Sequence, residues 1–288
     1  MSQLVRHVLA GSDDVRRQTL ATQAALLRQR LDGDVWPGAT LGAISTMAFD
    51  TAAIRAALDP NDPVILDDLE CCGCAAAAAF LAATAPGHGP IEAPGPGLRR
   101  VQVDRDRFDR GKLRGQLHWR TGMLAAAAAR HHEAIAVLAS IQPHDLRDLS
   151  PAAPSWFASE AAALTATFRR DADASDWLVA AMRAADPDRV DPVSRDYVRL
   201  LVGAELELGL RVVERDGAGF GIALAQALGG HHHYYGQGDA KGGVHGQLAL
   251  APLAMACLAR DLGVGLSIAI TTDYVPAWII DNTGALHG

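Results

Sequence analysis

Lysine is nearly missing from this chain: only Lys112 and Lys241 occur, and every other basic residue is arginine. That reads as a compositional bias of the source, not as function. Aromatic residues are scarce, at 5%. The core must therefore be closed with small side chains, and the abundant alanine favours helices that approach closely. Cysteine is also sparse: Cys71, Cys72 and Cys74 crowd into one stretch and Cys257 stands alone. Near neighbours do not pair, so a disulfide framework is excluded and a reducing, cytoplasmic compartment is expected. No apolar run of signal-peptide length opens the sequence. The longest apolar run, Leu248 to Ala259, has 12 residues and is interrupted by Pro252. It is too short to span a bilayer, so no membrane role is expected. A uniformly basic face is absent as well. Net charge is −7, and arginine alternates with aspartate from Asp104 to Arg110. This excludes the electrostatic footprint of a nucleic-acid binder and suits a soluble protein or one that meets a basic partner.

Complete catalytic patterns are lacking. No Gly-x-Ser-x-Gly elbow occurs. His131-His132-Glu133 leads into neither a zinc-protease nor a deaminase signature and reads as a turn between helices. The triple cysteine has neither redox nor zinc-ribbon spacing and reads as packing.

Helical periodicity fills most of the 288 residues, predicting a mostly all-α fold in a single domain over residues 1–288. Ser12 or Asp13 caps a first helix ending at Leu31, and Val64 to Ala85 is apolar nearly all round, as a central helix would be. Proline and glycine from Pro86 to Gly97 mark a loop that separates this N-terminal part from a helical array over residues 112–280. In the array, three helix–turn–helix pairs follow one another, predicting stacked helical hairpins. Their apolar stripes include Trp177, Leu178, Ala181 and Met182. Leu266 to Tyr274 reads as a strand, and its expected mate is Leu98 to Asp104, in a short two-stranded β ribbon near the C-terminus.

The densest chemistry runs from Gly229 to Gln247: His231, His232, His233, Tyr234, Tyr235, Lys241 and His245. Adjacent histidines on a helix point about 100° apart and do not chelate together. His245 could supply one more ligand, but no cysteine, aspartate or glutamate stands at a spacing that completes a metal site, so no metal and no cofactor are expected. A helix C-terminus followed by a glycine-rich linker accounts for the stretch, because imidazolium favours that end of the helix dipole. Gly236 to Gly243 is not a phosphate loop, since Lys241 is followed by glycine. Asp273 and Tyr274 follow the terminal strand, and Thr272 or Asp273 could cap a short helix after Pro276.

The run from Phe220 to Gly236, and that from Leu248 to Ile280, carry a family resemblance. They present a helix ending in a His-plus-aromatic cluster, a variable loop, an apolar helix ending Ala259-Arg260-Asp261-Leu262-Gly263, and a strand leading to Asp273-Tyr274-Val275-Pro276. In these features the chain resembles the immunity protein 49 family of bacterial polymorphic toxin systems, from about Leu113 to Ile280. The resemblance implies a largely helical, non-catalytic protein that binds and neutralises a cognate toxin. It carries over no catalytic residue. His231, His232, Tyr234 and Lys241 are the candidate binding residues. The extra histidines support a second reading, an enzyme acting on a small-molecule ligand, with His233, Tyr235, His245, Asp273 and Tyr274 as its candidate acid–base groups.

Overall fold

The computed structural model describes residues 3–4, 6–7, 11–106, 108–265 and 271–282. Helix dominates as expected, and among the described residues strands form only two small sheets. Backbone contacts divide the chain into two compact units. One holds residues 1–10, 59–61 and 154–288, and the other holds residues 11–58 and 62–153.

The chain opens with β1 (Gln3–Leu4), which belongs to the first of these, and then builds the second. There, α1 (Asp13–Leu31) starts at Ser12, whose hydroxyl accepts from the Val15 N–H at 3.4 Å. Next come β2 (Val35–Pro37), α2 (Leu41–Leu58) and α3 (Val64–Thr84). Helix α3 is central: it packs against α2, α4 (Gly115–Ala128) and α5 (His132–Ser140). Small residues make this possible. Ala75 to Ala79 are fully buried. A Cβ on Gly73 would lie 2.7 Å from the Ala126 Cβ, and one on Gly122 would overlap Ala76, so α3 and α4 meet nearly backbone to backbone. Cys71, Cys72 and Cys74 are buried and unbridged in the same helix, and burial pushes the Cys72 thiol up to about 12. They pack, as expected. Both His118 and Trp119 face inward, with the indole donating to the Leu138 carbonyl at 3.0 Å. A short α6 (Pro143–Leu149), not foreseen in the sequence, completes the unit.

The β pairing differs from expectation. β3 (Ile91–Pro94) lies inside the Pro/Gly-rich stretch, and β4 (Arg100–Asp104) pairs antiparallel with it and parallel with β2. The sheet buries Trp36, Ala93, Val101 and Val103 on its inner face. β4 is thus saturated on both edges and unavailable to the C-terminal strand. The described part of that strand, β5 (Thr271–Thr272), instead pairs parallel with β1. Residues 266–270 of the expected strand lie outside the described residues.

In the first unit α7 (Trp156–Arg169) pairs with α8 (Ala174–Ala184). Then α9 (Arg195–Tyr197) runs through a π turn at Val198–Val202 into α10 (Gly203–Val213), which pairs with α11 (Gly217–Tyr235). With α4 and α5, these are the three expected hairpins. All three turn in the same way, on an arginine in the left-handed region: Arg130 (φ 57), Arg170 (φ 61) and Arg215 (φ 57). The N–H of the next residue reaches the carbonyl five positions back: His131 to Ala126, Asp171 to Ala166 and Asp216 to Arg211, at 2.9–3.0 Å. These are Schellman caps without glycine. In two of them that next residue also caps the following helix, His131 accepting from the Ala134 N–H and Asp216 from the Gly219 N–H. On α8, Leu178 and Ala181 are buried, but Trp177 is 45% exposed, its indole held by Asp173 at 3.1 Å. The stripe is therefore narrower than the sequence suggests. α12 (Leu250–Asp261), ended by Gly263 at φ 69, and α13 (Ala277–Asp281) finish the chain. Among the described residues no helix is long and apolar enough to cross a membrane.

Candidate functional site

Helix α11 has no Asp, Glu, Lys or Arg in 19 residues, and its last turn delivers the histidine–tyrosine stretch. Two glycines let other segments close on it. Gly236 lies under His7, where a Cβ would be 2.8 Å from the imidazole Cε1, and Gly246 lies against Tyr235, where a Cβ would be 2.6 Å from the Tyr235 Cβ. The connection after α11 is therefore not a loose linker. It forms two short 3-10 turns, Gly238–Ala240 and Val244–Gln247, and Gly246 and Gln247 are buried.

Tyr274 is the centre of the cluster and is fully buried. Its position follows from the turn before it, where the Thr272 hydroxyl accepts from the Tyr274 N–H at 3.2 Å. The Tyr274 oxygen accepts from the His7 backbone N–H at 3.0 Å and lies 3.0 Å from the His232 Nδ1. His7 stacks on His232 with ring centres 4.2 Å apart and donates from Nε2 to the His232 carbonyl at 2.6 Å. His231 points elsewhere, donating from Nε2 to the Gly246 carbonyl at 3.1 Å. The rings of His231 and Tyr274 meet edge to face at 5.2 Å, and those of His231 and Tyr235 lie 4.7 Å apart.

This geometry favours the neutral forms of His231 and His232. Burial pushes His231 down to about 4 against a weaker opposing effect of the Gly246 carbonyl. Burial, then the neighbouring His7 and His233, lower His232. Burial raises Tyr274. Arg6 is pushed down to about 10 by burial, with Asp273 and Tyr274 opposing the shift.

Of the residues singled out in the sequence, the fold brings together His231, His232, Tyr235 and Tyr274, with Asp273 in electrostatic reach of Arg6. Tyr234 continues the aromatic contacts outward to Tyr197, at 5.9 Å. His233 faces solvent with Gln237 beside it, and Lys241 is exposed and forms no ion pair among the described residues. His245 lies in the second 3-10 turn. The residue that sequence reasoning missed is His7. Nothing in its local sequence marks it, because its partners lie more than two hundred positions away. Among the described residues, no three His, Cys, Asp or Glu side chains converge as a metal-ligand set.

Stability should report on this cluster. A histidine whose folded-state value is depressed takes up its proton more readily in the unfolded chain. The stability it contributes is therefore complete above the ordinary value of about 6.5 and is lost as pH falls toward 4. His118, also pushed down to about 4 by burial, adds in the same direction. The urea-unfolding midpoint should drop over that window. His231→Gln, which retains an N–H for the Gly246 carbonyl, should remove part of the drop. Parallel pH profiles for the two proteins would contradict a neutral buried His231.

The fold and site define a mostly α-helical protein in which a packed His–Tyr cluster ties the N-terminal segment to the end of a charge-free helix. The sequence model of the immunity protein 49 family matches residues 62–279, and the chain belongs to that family. No curated protein and no solved structure matches it.

Proposed function

We propose that this protein is a bacterial immunity protein that binds and neutralises a cognate toxin in the cytoplasm and catalyses no reaction itself. The observation that carries this reading is the family match over residues 62–279. The net charge of −7 supports a basic toxin as the partner, since complementary charge speeds encounter and disfavours wrong partners. Four unbridged, buried thiols agree with a reducing compartment. The contact surface is the accessible end of α11 and the turn after it. There His233 and Lys241 are exposed, and His232 and Tyr234 are half-buried. Buried His231 positions this end through Gly246.

The test is co-expression with the toxins encoded beside its gene. Growth should be restored by the wild-type chain against one of them. The double variant His233→Ala/Lys241→Ala should rescue less well at unchanged melting temperature. Failure to rescue against every neighbouring toxin overturns the function, whereas full rescue by the double variant overturns only the location.

A further inference from the structure

An open groove of about 580 Å³ runs between α1, α2 and α3. Its size falls within the usual range for small-molecule sites, roughly 300–1,000 Å³. Two of its walls, α1 and α2, precede the family-matched residues 62–279, and α3 lies within them. We infer that it binds a molecule with an apolar body, an acidic group at one end and an ammonium group at the other.

The apolar body would lie on Leu27, Leu31, Val64 and Cys71. The α1 side of the groove carries Arg28 and Arg99. The Arg28 Nε donates to the Ala24 carbonyl at 3.3 Å, and the Arg99 Nη2 donates to the Leu31 carbonyl at 2.8 Å. These carbonyls orient both guanidinium groups along α1 without neutralising either charge. Among the described residues neither arginine has a carboxylate partner. Asp32, at the C-cap of α1, also lines the groove and pairs with neither. A guanidinium group with spare donors is a receptor for a carboxylate or phosphate.

The first turns of α3 carry the opposite charge. Asp67 and Asp68 both line the groove. Asp68 bonds the Arg55 Nε at 2.7 Å, and the same guanidinium also serves Asp62 at 3.1 Å. Three carboxylates thus share one cation, and Asp67 has no ion pair of its own among the described residues. Burial, the largest influence on each, holds Asp67 above the usual carboxylate range and pushes Asp68 up to about 6. An ammonium group arriving there supplies the missing positive charge.

The experiment is calorimetry on the full chain with ω-aminooctanoate, octanoate and octylamine. ω-Aminooctanoate should bind about tenfold or more tightly than either one-ended probe, as one added charge-assisted contact implies. Arg28→Gln/Arg99→Gln should bring its affinity down to that of octylamine, and Asp67→Asn should bring it toward that of octanoate. All three positions are exposed, and unchanged melting curves would show that the variants fold. Failure of ω-aminooctanoate to bind, equal affinity for all three probes, or variants with wild-type affinity overturns the proposal. None of these outcomes bears on toxin neutralisation.

Discussion

Gly122→Leu is expected to destabilise the unit built around α3 by about 3 kcal/mol or more, lowering its melting temperature by roughly 10 °C. The reason is the route by which this aromatic-poor chain closes its core. α3 and α4 meet at Gly73 and Gly122 through their smallest residues. They bring alanine and glycine surfaces together so closely that a Cβ at Gly122 already overlaps Ala76, and one at Gly73 lies 2.7 Å from the Ala126 Cβ. The neighbours are themselves fully buried alanines with no alternative rotamers, so the strain falls on the backbones. Gly229→Ala is the control. It is also a helical glycine, but nothing lies within 4 Å of its would-be Cβ. There the better helix propensity of alanine should leave stability unchanged or raise it by up to about 1 kcal/mol. Thermal melts of both variants decide the matter, and similar losses at the two positions would refute the close-packing account.

Tyr274→Phe is expected to cost about 2 kcal/mol, because one buried oxygen satisfies two partners at once. Without it, the His7 N–H and the His232 Nδ1 both lose their bond. The ring itself is conserved in the variant, so edge-to-face packing on His231 and His232 persists and the effect isolates the hydroxyl. The loss should be local as well as global. β1 pairs in parallel with β5 and is followed by the His7 contacts to Tyr274 and His232, so amide exchange at Gln3, Leu4 and His7 should accelerate more than exchange in α10. Unchanged exchange in that segment would show that Tyr274 does not clamp it.

Much of this architecture is legible in the sequence, for a definite physical reason. Helices are specified locally by periodicity and caps, and Ser12, Gly263 and the three hairpins are read directly from neighbouring residues. The strands are not. β4 is claimed on both edges by β2 and β3, a competition no local pattern records, and β5 finds its mate at the far end of the chain. The repeated turn was hidden for another reason. Its left-handed position carries Arg130, Arg170 and Arg215 where glycine is the usual signal. The histidine stretch was half legible. Its place at a helix end, and the divergence of His231 and His232, follow from helical geometry, and the two rings do go to different partners. That His7 and Tyr274 complete the cluster is a tertiary fact, as is the ordering of Val244–Gln247 against Tyr235.

The most direct test of the central claim is calorimetric titration of the purified chain with the purified toxin encoded beside its gene. The account predicts a stable complex that abolishes the toxin's activity and weakens as salt is raised, as attraction between an acidic protein and a basic toxin requires. An active toxin that shows no heat of binding, and keeps its activity in excess of this protein, would contradict it.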